Sequence, residues 1–565
     1  MNQQHTLQRA LQHQQHGELT EAANLYSAVL ADDPEQEEAL HGLGVIACQH
    51  GDSSRGVALI RRAIAHQADN ARLYYSLGTA LLQHSEPQGA AAAYETAVRL
   101  DPTCAVAYHN LGVAYQHQGQ WEAAASAYQA VLRLQPHAVA THSNLALVLK
   151  EQNRLTEARE HCITAIRLQP DCAAAYGNLG LIYQAQNQFV AARGAYLAAL
   201  RLQPDAAAIH GNLGELLDEH GDLEAALASY NTALRYQPQN AAVQAKRATI
   251  LLRQGKLAQG WKAYEWRLHL AQAPPPFPYP RWDGTPLSGK TILVYAEQGL
   301  GDEILFASCF PDLLAQAEHC VIECAPRLAP LFRRSFPGAT VYGGRSDERA
   351  WLRTVPAIDV SIPAGSLPGH LRPDLHRFPA HRGYLVPDPQ RLRQYQQRLA
   401  TLGAGLKVGI AWRSRQERHQ DPHYTALPQW HGLLTLPGIQ YINLQYDHAA
   451  PELAALYAQC GVTVHTWDDI DVFYDLESTA ALIAAVDLVI APETTVTALA
   501  GALGQTVWQL RTYPMSWPAL GTTASPWFPS MRVFAQQQRG AWEPVLARVQ
   551  TALRDLVASA TARSL

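Results

Sequence analysis

Two stretches of this 565-residue sequence carry side chains that can handle a charged ligand at the end of a strand. The first, residues 291–306, reads TILVYAEQGLGDEILF: a β-branched run, then Gly299, Leu300, Gly301 and Asp302, then a helical pattern. Glycines 299 and 301 let a backbone approach a ligand closely. Asp302 is expected at or near the helix N-cap, where a carboxylate is easily held. The second stretch, residues 487–510, reads DLVIAPETTVTALAGALGQTVWQL. Glu493, Thr494 and Thr495 lie between its first strand and its helix. Backbone N–H groups and the positive end of the helix dipole converge there, which suits a diphosphate. Ordinary helix capping is the alternative role for the two hydroxyls. Between the two stretches, VGIAWRSR (408–415) puts Arg413, Ser414 and Arg415 after a strand ending at Trp412. Guanidinium forks at a strand end can clamp phosphate. Arg418 and His423, in the same loop, either join them or face solvent, and Lys407 flanks the strand. Gln445, Tyr446 and Asp447 close the next strand and either meet a base or ribose or form a plain turn.

No Asp-x-Asp stands at a strand end of the first set, and the acidic run Asp468, Asp469, Ile470, Asp471 reads as a loop before a helix over 475–486. No metal site is expected from it. The eight cysteines are scattered, and Cys320-x3-Cys324 falls in an apolar run without a matching second pair, so reduced buried thiols are expected. Apolar residues make up 48% and charged residues 16%, as in a globular chain, and the net charge of −5 gives no footprint for nucleic acid or an anionic membrane. The first residues, MNQQHTLQRALQHQQHG, hold no apolar signal core, and no run of about 18 apolar residues occurs. A soluble, cytoplasmic protein of several domains is the expectation, since single cores rarely grow past roughly 250–300 residues.

The elements that must position these residues fall into two regions. Aligned with itself, the first half repeats every 34 residues. Gly17, Gly51, Ser85, Gly119, Asn153, Asn187, Gly221 and Gly255 mark turns, which favour residues tolerant of left-handed backbone. Prolines close units at 34, 102, 136, 170, 204 and 238. Packing knobs recur at Tyr26, Ile60, Tyr94, Tyr128, Cys162, Tyr196, Tyr230 and Tyr264. This pattern resembles the tetratricopeptide repeat, an array of antiparallel helix pairs that binds peptides or proteins. Asn110, Asn144, Asn178 and Asn212 recur on the first helices. A ladder of amides can hold an extended peptide backbone, hydrogen-bond within the array, or do both.

After WKAYEWR (261–267) and the proline-dense PPPFPYP (274–280), short apolar strands alternate with helices. Strands are expected over 292–295, 321–324, 340–342 and 360–362. A helix over 390–402 and a break at Gly403 and Gly405 follow, then strands over 407–412, 440–445, 462–465, 488–490 and 506–510. Two such sets suggest Rossmann-like domains facing across a cleft. A final helix over 542–556 is expected to pack back on the first set.

GLGDEILFASCFPDL (299–313), VGIAWRSR and the 487–510 stretch together resemble heptosyltransferase-type GT-B glycosyltransferases. Joined to a tetratricopeptide array, the whole resembles bacterial protein O-glycosyltransferases, including flagellin-modifying ones, and more distantly the O-GlcNAc transferases. The resemblance implies an α plus α/β chain: an N-terminal α-solenoid over 1–272, a proline-rich connector over 273–290, an acceptor-side domain over 291–403, a donor domain over 404–540 and a closing helix over 541–565. It implies an inverting, metal-independent transfer from a nucleotide-sugar to Ser or Thr of a protein held by the array, with flagellin one such acceptor and no cofactor. It makes Asp302 the general base, with Glu303 as fallback. It assigns donor contacts to Gly299, Gly301, Arg413, Ser414, Arg415, Gln445, Glu493, Thr494 and Thr495. Acceptor contacts fall to Asn110, Asn144, Asn178 and Asn212. Ala498 stands where the family has a histidine. An inactive scaffold and a transferase building lipopolysaccharide or another glycan are the competing readings.

Overall fold

The computed structural model describes residues 3–344, 350–355, 357–414, 424–447 and 449–564. Sixteen α-helices run in succession from Gln3 to Tyr264. Their turns have the backbone that the spacing requires. Gly17, Gly51, Gly119, Gly221 and Gly255 have φ between 68° and 86°, and Ser85, Asn153 and Asn187 between 57° and 61°. The knobs are all buried, and four tyrosines (94, 128, 196 and 230) are fully so. Each of three rings lies on a glycine of the helix before it: a Cβ on Gly78, Gly112 or Gly180 would come within 2.5–2.7 Å of Tyr94, Tyr128 or Tyr196. Gly78, Gly112 and Gly180 therefore serve packing, since only a bare backbone admits the ring.

The chain divides into two compact units, Met1–Leu216 and Leu217–Leu565. The division falls within the helical array. Its last helices, Leu223–Tyr236, Ala241–Arg253 and Leu257–Tyr264, belong to the same unit as the sheets. There Trp261 packs edge-on against Trp517 and Trp527, with centroids 6.0 and 6.3 Å apart, and its indole N–H donates to the Arg372 carbonyl at 3.0 Å.

In that unit, strands β1 (Thr291–Tyr295), β2 (His319–Cys324), β3 (Ala339–Gly343) and β4 (Val360–Pro363) form a parallel sheet in the order β3-β2-β1-β4. The proline-dense connector runs along β4: Trp282 N–H donates to the Ser361 carbonyl at 2.9 Å and Ser361 N–H to that of Pro280 at 2.8 Å. A second sheet holds β5 (Leu406–Ile410), β6 (Ile439–Asn443), β7 (Val464–His465), β8 (Leu488–Pro492), β9 (Val507–Arg511) and β10 (Met531–Ala535). All its pairings are parallel, in the order β10-β9-β8-β5-β6-β7. Strand order reverses at β1/β4 and at β5/β8, and in open parallel sheets ligands lodge at the carboxyl ends beside such reversals.

Two expectations are corrected. The edge strand β10 is not foreseen, because in MRVFA the charged Arg532 interrupts the apolar run; it is exposed, while Met531 and Phe534 are buried. The closing helix, Glu543–Ser564, does not return to the first sheet. Its Val545, Leu546, Val549 and Leu553 are buried with Val408 and Ile410 of β5 and Trp430, in the core beside the second sheet.

Candidate functional site

The β1 turn leads into a helix over Leu300–Phe306 capped by Gly299, so Asp302 is the third residue of that helix and not its N-cap. Burial raises the Asp302 carboxyl to about 6, the Gly299 N–H opposes the rise, and the nearby carboxylates of Glu297, Glu303 and Glu493 add to it. The fallback base is held by its contacts. Glu303 is buried, and its carboxylate accepts the Ala325 N–H at 2.8 Å, pinning the helix to the end of β2. Behind the turn, Glu297 is 3% exposed and binds Arg267 of the last repeat at 2.8 Å, while Tyr264 donates to Gln298 at 3.0 Å. The turn that carries Asp302 is thus held by the end of the helical array.

Opposite lies the β8 turn. Thr494 caps the helix Thr495–Ala502, its N–H donating to Thr497 Oγ1 at 3.1 Å. Its own Oγ1 is buried and has no hydrogen-bond partner among the described residues. A buried hydroxyl left open costs about 1–3 kcal/mol, so it marks a place where a ligand can supply the missing bond. Glu493 accepts the Ser516 hydroxyl at 2.5 Å. The two turns face each other, since a Cβ on Gly301 would lie 3.7 Å from Thr495 Oγ1. Between them is a cleft of about 250 Å³ lined by Gly301, Asp302, Ser414, Glu493, Thr494 and Thr495, and also by Ala498. A neighbouring cavity of about 270 Å³ shares Ser414, Tyr446 and Thr495 with it. A third, of about 650 Å³, continues past Tyr446 to Gln445 and Trp467.

Two expected phosphate or nucleotide contacts are occupied elsewhere. The Arg413 guanidinium is gripped by Asp447 at 2.7 Å and by Glu452 at 2.7 Å, and these two carboxylates neutralise the charge that was to meet phosphate. Gln445 is 3% exposed and accepts the N–H groups of Trp412 and Arg413 at 3.0 and 3.1 Å, while its amide donates to the Arg413 carbonyl at 3.0 Å. Both side chains brace the loop after β5, leaving Ser414 to reach the cleft, where its hydroxyl accepts from Tyr446 at 3.1 Å. Gly299 caps its helix and does not line the cleft. Arg415, Arg418 and His423 lie outside the described residues. The acidic loop is occupied in local bonds: Asp469 pairs with Arg398 at 2.7 Å and Asp471 accepts two backbone N–H groups.

In the array, the asparagine amides bond to the preceding repeat. Asn110 donates to the Tyr75 hydroxyl at 3.4 Å, Asn144 meets His109 Nε2 at 3.4 Å, and Asn178 donates to Ser143 Oγ at 2.8 Å. All three residues and Asn212 are half-buried.

The sequence reading misses Arg511, Gln509, Ser525 and Trp527, which also line the cleft. Arg511 ends an apolar strand next to the expected donor turn, and that position was the available signal.

Tetratricopeptide-repeat family profiles match residues 7–53, 47–105, 105–138, 137–205, 178–235 and 211–265, so the N-terminal region is built of these repeats. Protein FlbA of Caulobacter vibrioides is 38% identical over 319 residues, 54% of this chain and 53% of that protein. The chain thus spans about half the length of the curated relative it matches. A tetratricopeptide-repeat protein from Parabacteroides merdae is 14% identical, with a TM-score of 0.39 over 44% of this chain and 98% of that one. A chain of the APC/C hetero-tetramer Cut9–Hcn1 is 17% identical, with a TM-score of 0.36 over 47% and 52%. Among the described residues no helix is long and apolar enough to cross a membrane.

Proposed function

We propose that the region beyond the repeats is a GT-B body that moves a sugar from a nucleotide-sugar to a Ser or Thr hydroxyl of a protein bound by the array. The observation carrying this reading is the single cleft that brings Asp302 from the first sheet against Thr494 and Thr495 from the second. Asp302 takes the proton of the attacking hydroxyl. That oxygen bonds to the anomeric carbon, and the bond from this carbon to the nucleotide's phosphate oxygen breaks with its electron pair leaving on the phosphate. Attack from the side opposite the leaving group inverts the anomeric carbon. A carboxyl poised near pH 6 suits a base working at neutral pH. The N-terminus of helix Thr495–Ala502 and the open Thr494 hydroxyl receive the phosphate, so charge stabilisation in this reading needs no metal ion. The repeats supply a peptide- or protein-binding surface, and flagellin is one acceptor implied by the sequence resemblance.

The test is calorimetry and thermal shift with nucleoside mono- and diphosphates and their sugars, followed by transfer to candidate proteins. Saturation at about 100 times Kd should add about 2.7 kcal/mol of stability. Thr494→Ala/Thr495→Ala should lose binding, and Asp302→Asn should keep it while losing transfer. Failure of every nucleotide to bind would sink the proposal. A second reading, an inactive scaffold, draws on Ala498, which leaves the cleft without the side chain that the resemblance leads one to expect. Donor hydrolysis in the absence of acceptor would count against it.

A further inference from the structure

Arg511 is 3% exposed and lines the same cleft as Asp302, Thr494 and Ala498. Its hydrogen-bond partners are neutral. Nε and Nη2 donate to Gln509 Oε1 at 3.3 and 3.0 Å, and Nη1 donates to the Thr522 carbonyl at 3.4 Å. A guanidinium has five N–H donors, so two remain once these three bonds are made. Among the described residues no carboxylate forms an ion pair with it. The Glu493 carboxylate is the acidic group whose charge it feels, and Glu493 is itself bonded to Ser516. Burial pulls the Arg511 guanidinium below its ordinary range, and Glu493 offsets only part of this.

A buried charge without a counter-charge is costly to the fold, and such groups persist where a ligand completes them. The rest of the molecule shows the contrast. Buried Arg267 has Glu297, Arg253 has Asp218 and Arg372 has Asp312. Arg413, the expected phosphate clamp, has both Asp447 and Glu452. Arg511 stands apart from all four. Thr494 lines the same cleft, its Oγ1 has no hydrogen-bond partner among the described residues, and the helix it caps presents its positive end there.

We infer that Arg511, with the Thr494 hydroxyl, forms the phosphoanion subsite of the cleft and supplies the cationic side chain that Ala498 does not. The inference rests on the nucleotide-sugar reading and deepens it by assigning the counter-charge of the nucleotide's phosphate to one residue. Whether that phosphate belongs to a nucleoside mono- or diphosphate is for the ligand panel to distinguish, since a fork of N–H donors accepts either.

The experiment uses the full chain and the variants Arg511→Gln and Arg511→Lys. Inorganic phosphate, inorganic pyrophosphate and a panel of nucleoside mono- and diphosphates are titrated calorimetrically, and the melting of each ligand-free protein is recorded. Arg511→Gln should bind the preferred nucleotide about 10- to 100-fold more weakly, the loss expected for a hydrogen-bonded charge. Arg511→Lys should fall between it and the parent. The ligand-free Arg511→Gln protein should melt no lower than the parent, because the substitution removes an unpaired buried charge. A scaffold role would give the opposite pattern, a lower melting temperature, and that result overturns the inference. Unchanged affinity in Arg511→Gln overturns it as well and leaves the nucleotide-sugar reading standing. If the parent protein binds none of these anions, both fall together.

Discussion

Gly119 in the repeat array and Gly301 in the sheet region are placed by different physical requirements. Gly119 has φ of 68°, and a side chain there would meet nothing nearer than Trp121 at 4.0 Å. It is glycine for its backbone. Gly301 lies in ordinary helical backbone at the mouth of the cleft, with Thr495 of the opposite turn 3.7 Å from where its Cβ would be. A Cβ there would make only ordinary van der Waals contact, so what sets this position apart is where it stands, at the cleft between the two turns. The first requirement is local and recurs every 34 residues, with Ser or Asn meeting it at 85, 153 and 187. The second exists once, and only because two sheets face each other. A repeat position can therefore be exchanged for anything that satisfies the same dihedral angles, whereas a cleft position answers to a partner hundreds of residues away.

The sharpest way to break this comparison is at the cleft. Asp302→Asn should lower transfer by about 100- to 10,000-fold, the usual weight of a general base, with nucleotide affinity unchanged. Steady-state kinetics beside calorimetry reads both, and a parallel loss of binding would make Asp302 a structural residue. A knob of the array comes next. Tyr128→Ala should cost about 3–5 kcal/mol in denaturant unfolding, because the ring is fully buried against Gly112 and leaves a cavity. A cost near zero would mean that the repeats do not depend on their knobs.

Smaller effects sharpen the contrast. Gly119→Val should cost about 1–2 kcal/mol for left-handed backbone, while Asn153→Gly should be close to neutral. If the two cost the same, the turn positions are governed by packing after all. The smallest effect is in pH. The base must be ionised, so kcat/KM should fall as pH drops through about 6, the value to which burial lifts Asp302. Glu297→Gln should move this limb to lower pH, since the Glu297 carboxylate helps to raise it. The sign for stability is opposite. The folded protein holds the Asp302 proton more tightly than the unfolded chain, so its contribution is complete below the ordinary 3.8 and is lost as pH rises through about 6. Asp302→Asn should therefore melt slightly higher than the parent above that pH. A lower melting temperature would argue that the carboxylate is paired.

Much of the fold is legible in the sequence, and the pattern of what is not has physical causes. Nine strands lie close to their expected places because most of their residues are apolar or β-branched, as in LVIAP and TILVY. The tenth, MRVFA, carries the charged Arg532 at its second position, which interrupts such a run. Of the expected cleft residues, Gly301, Asp302, Ser414, Glu493, Thr494 and Thr495 meet in one cavity, since each stands at the carboxyl end of a strand and parallel sheets collect those ends on one edge. Arg413 and Gln445 satisfy the same rule and are occupied elsewhere, because the rule fixes where a residue stands and not which neighbour takes its hydrogen bonds.

By itself the sequence determined what depends on near neighbours: the 34-residue repeat, the left-handed turns, the alternation of strand and helix, and the two turns suited to an anion. These follow from backbone sterics and hydrophobic periodicity, which act over a few residues. Only the tertiary structure decided which charges are cancelled. Arg413 is paired with Asp447 and Glu452, 34 and 39 positions away, while Arg511, which lines the cleft, forms no ion pair among the described residues. Ion pairing and burial depend on distance in space, and the linear order of residues does not contain that distance until the sheets have packed.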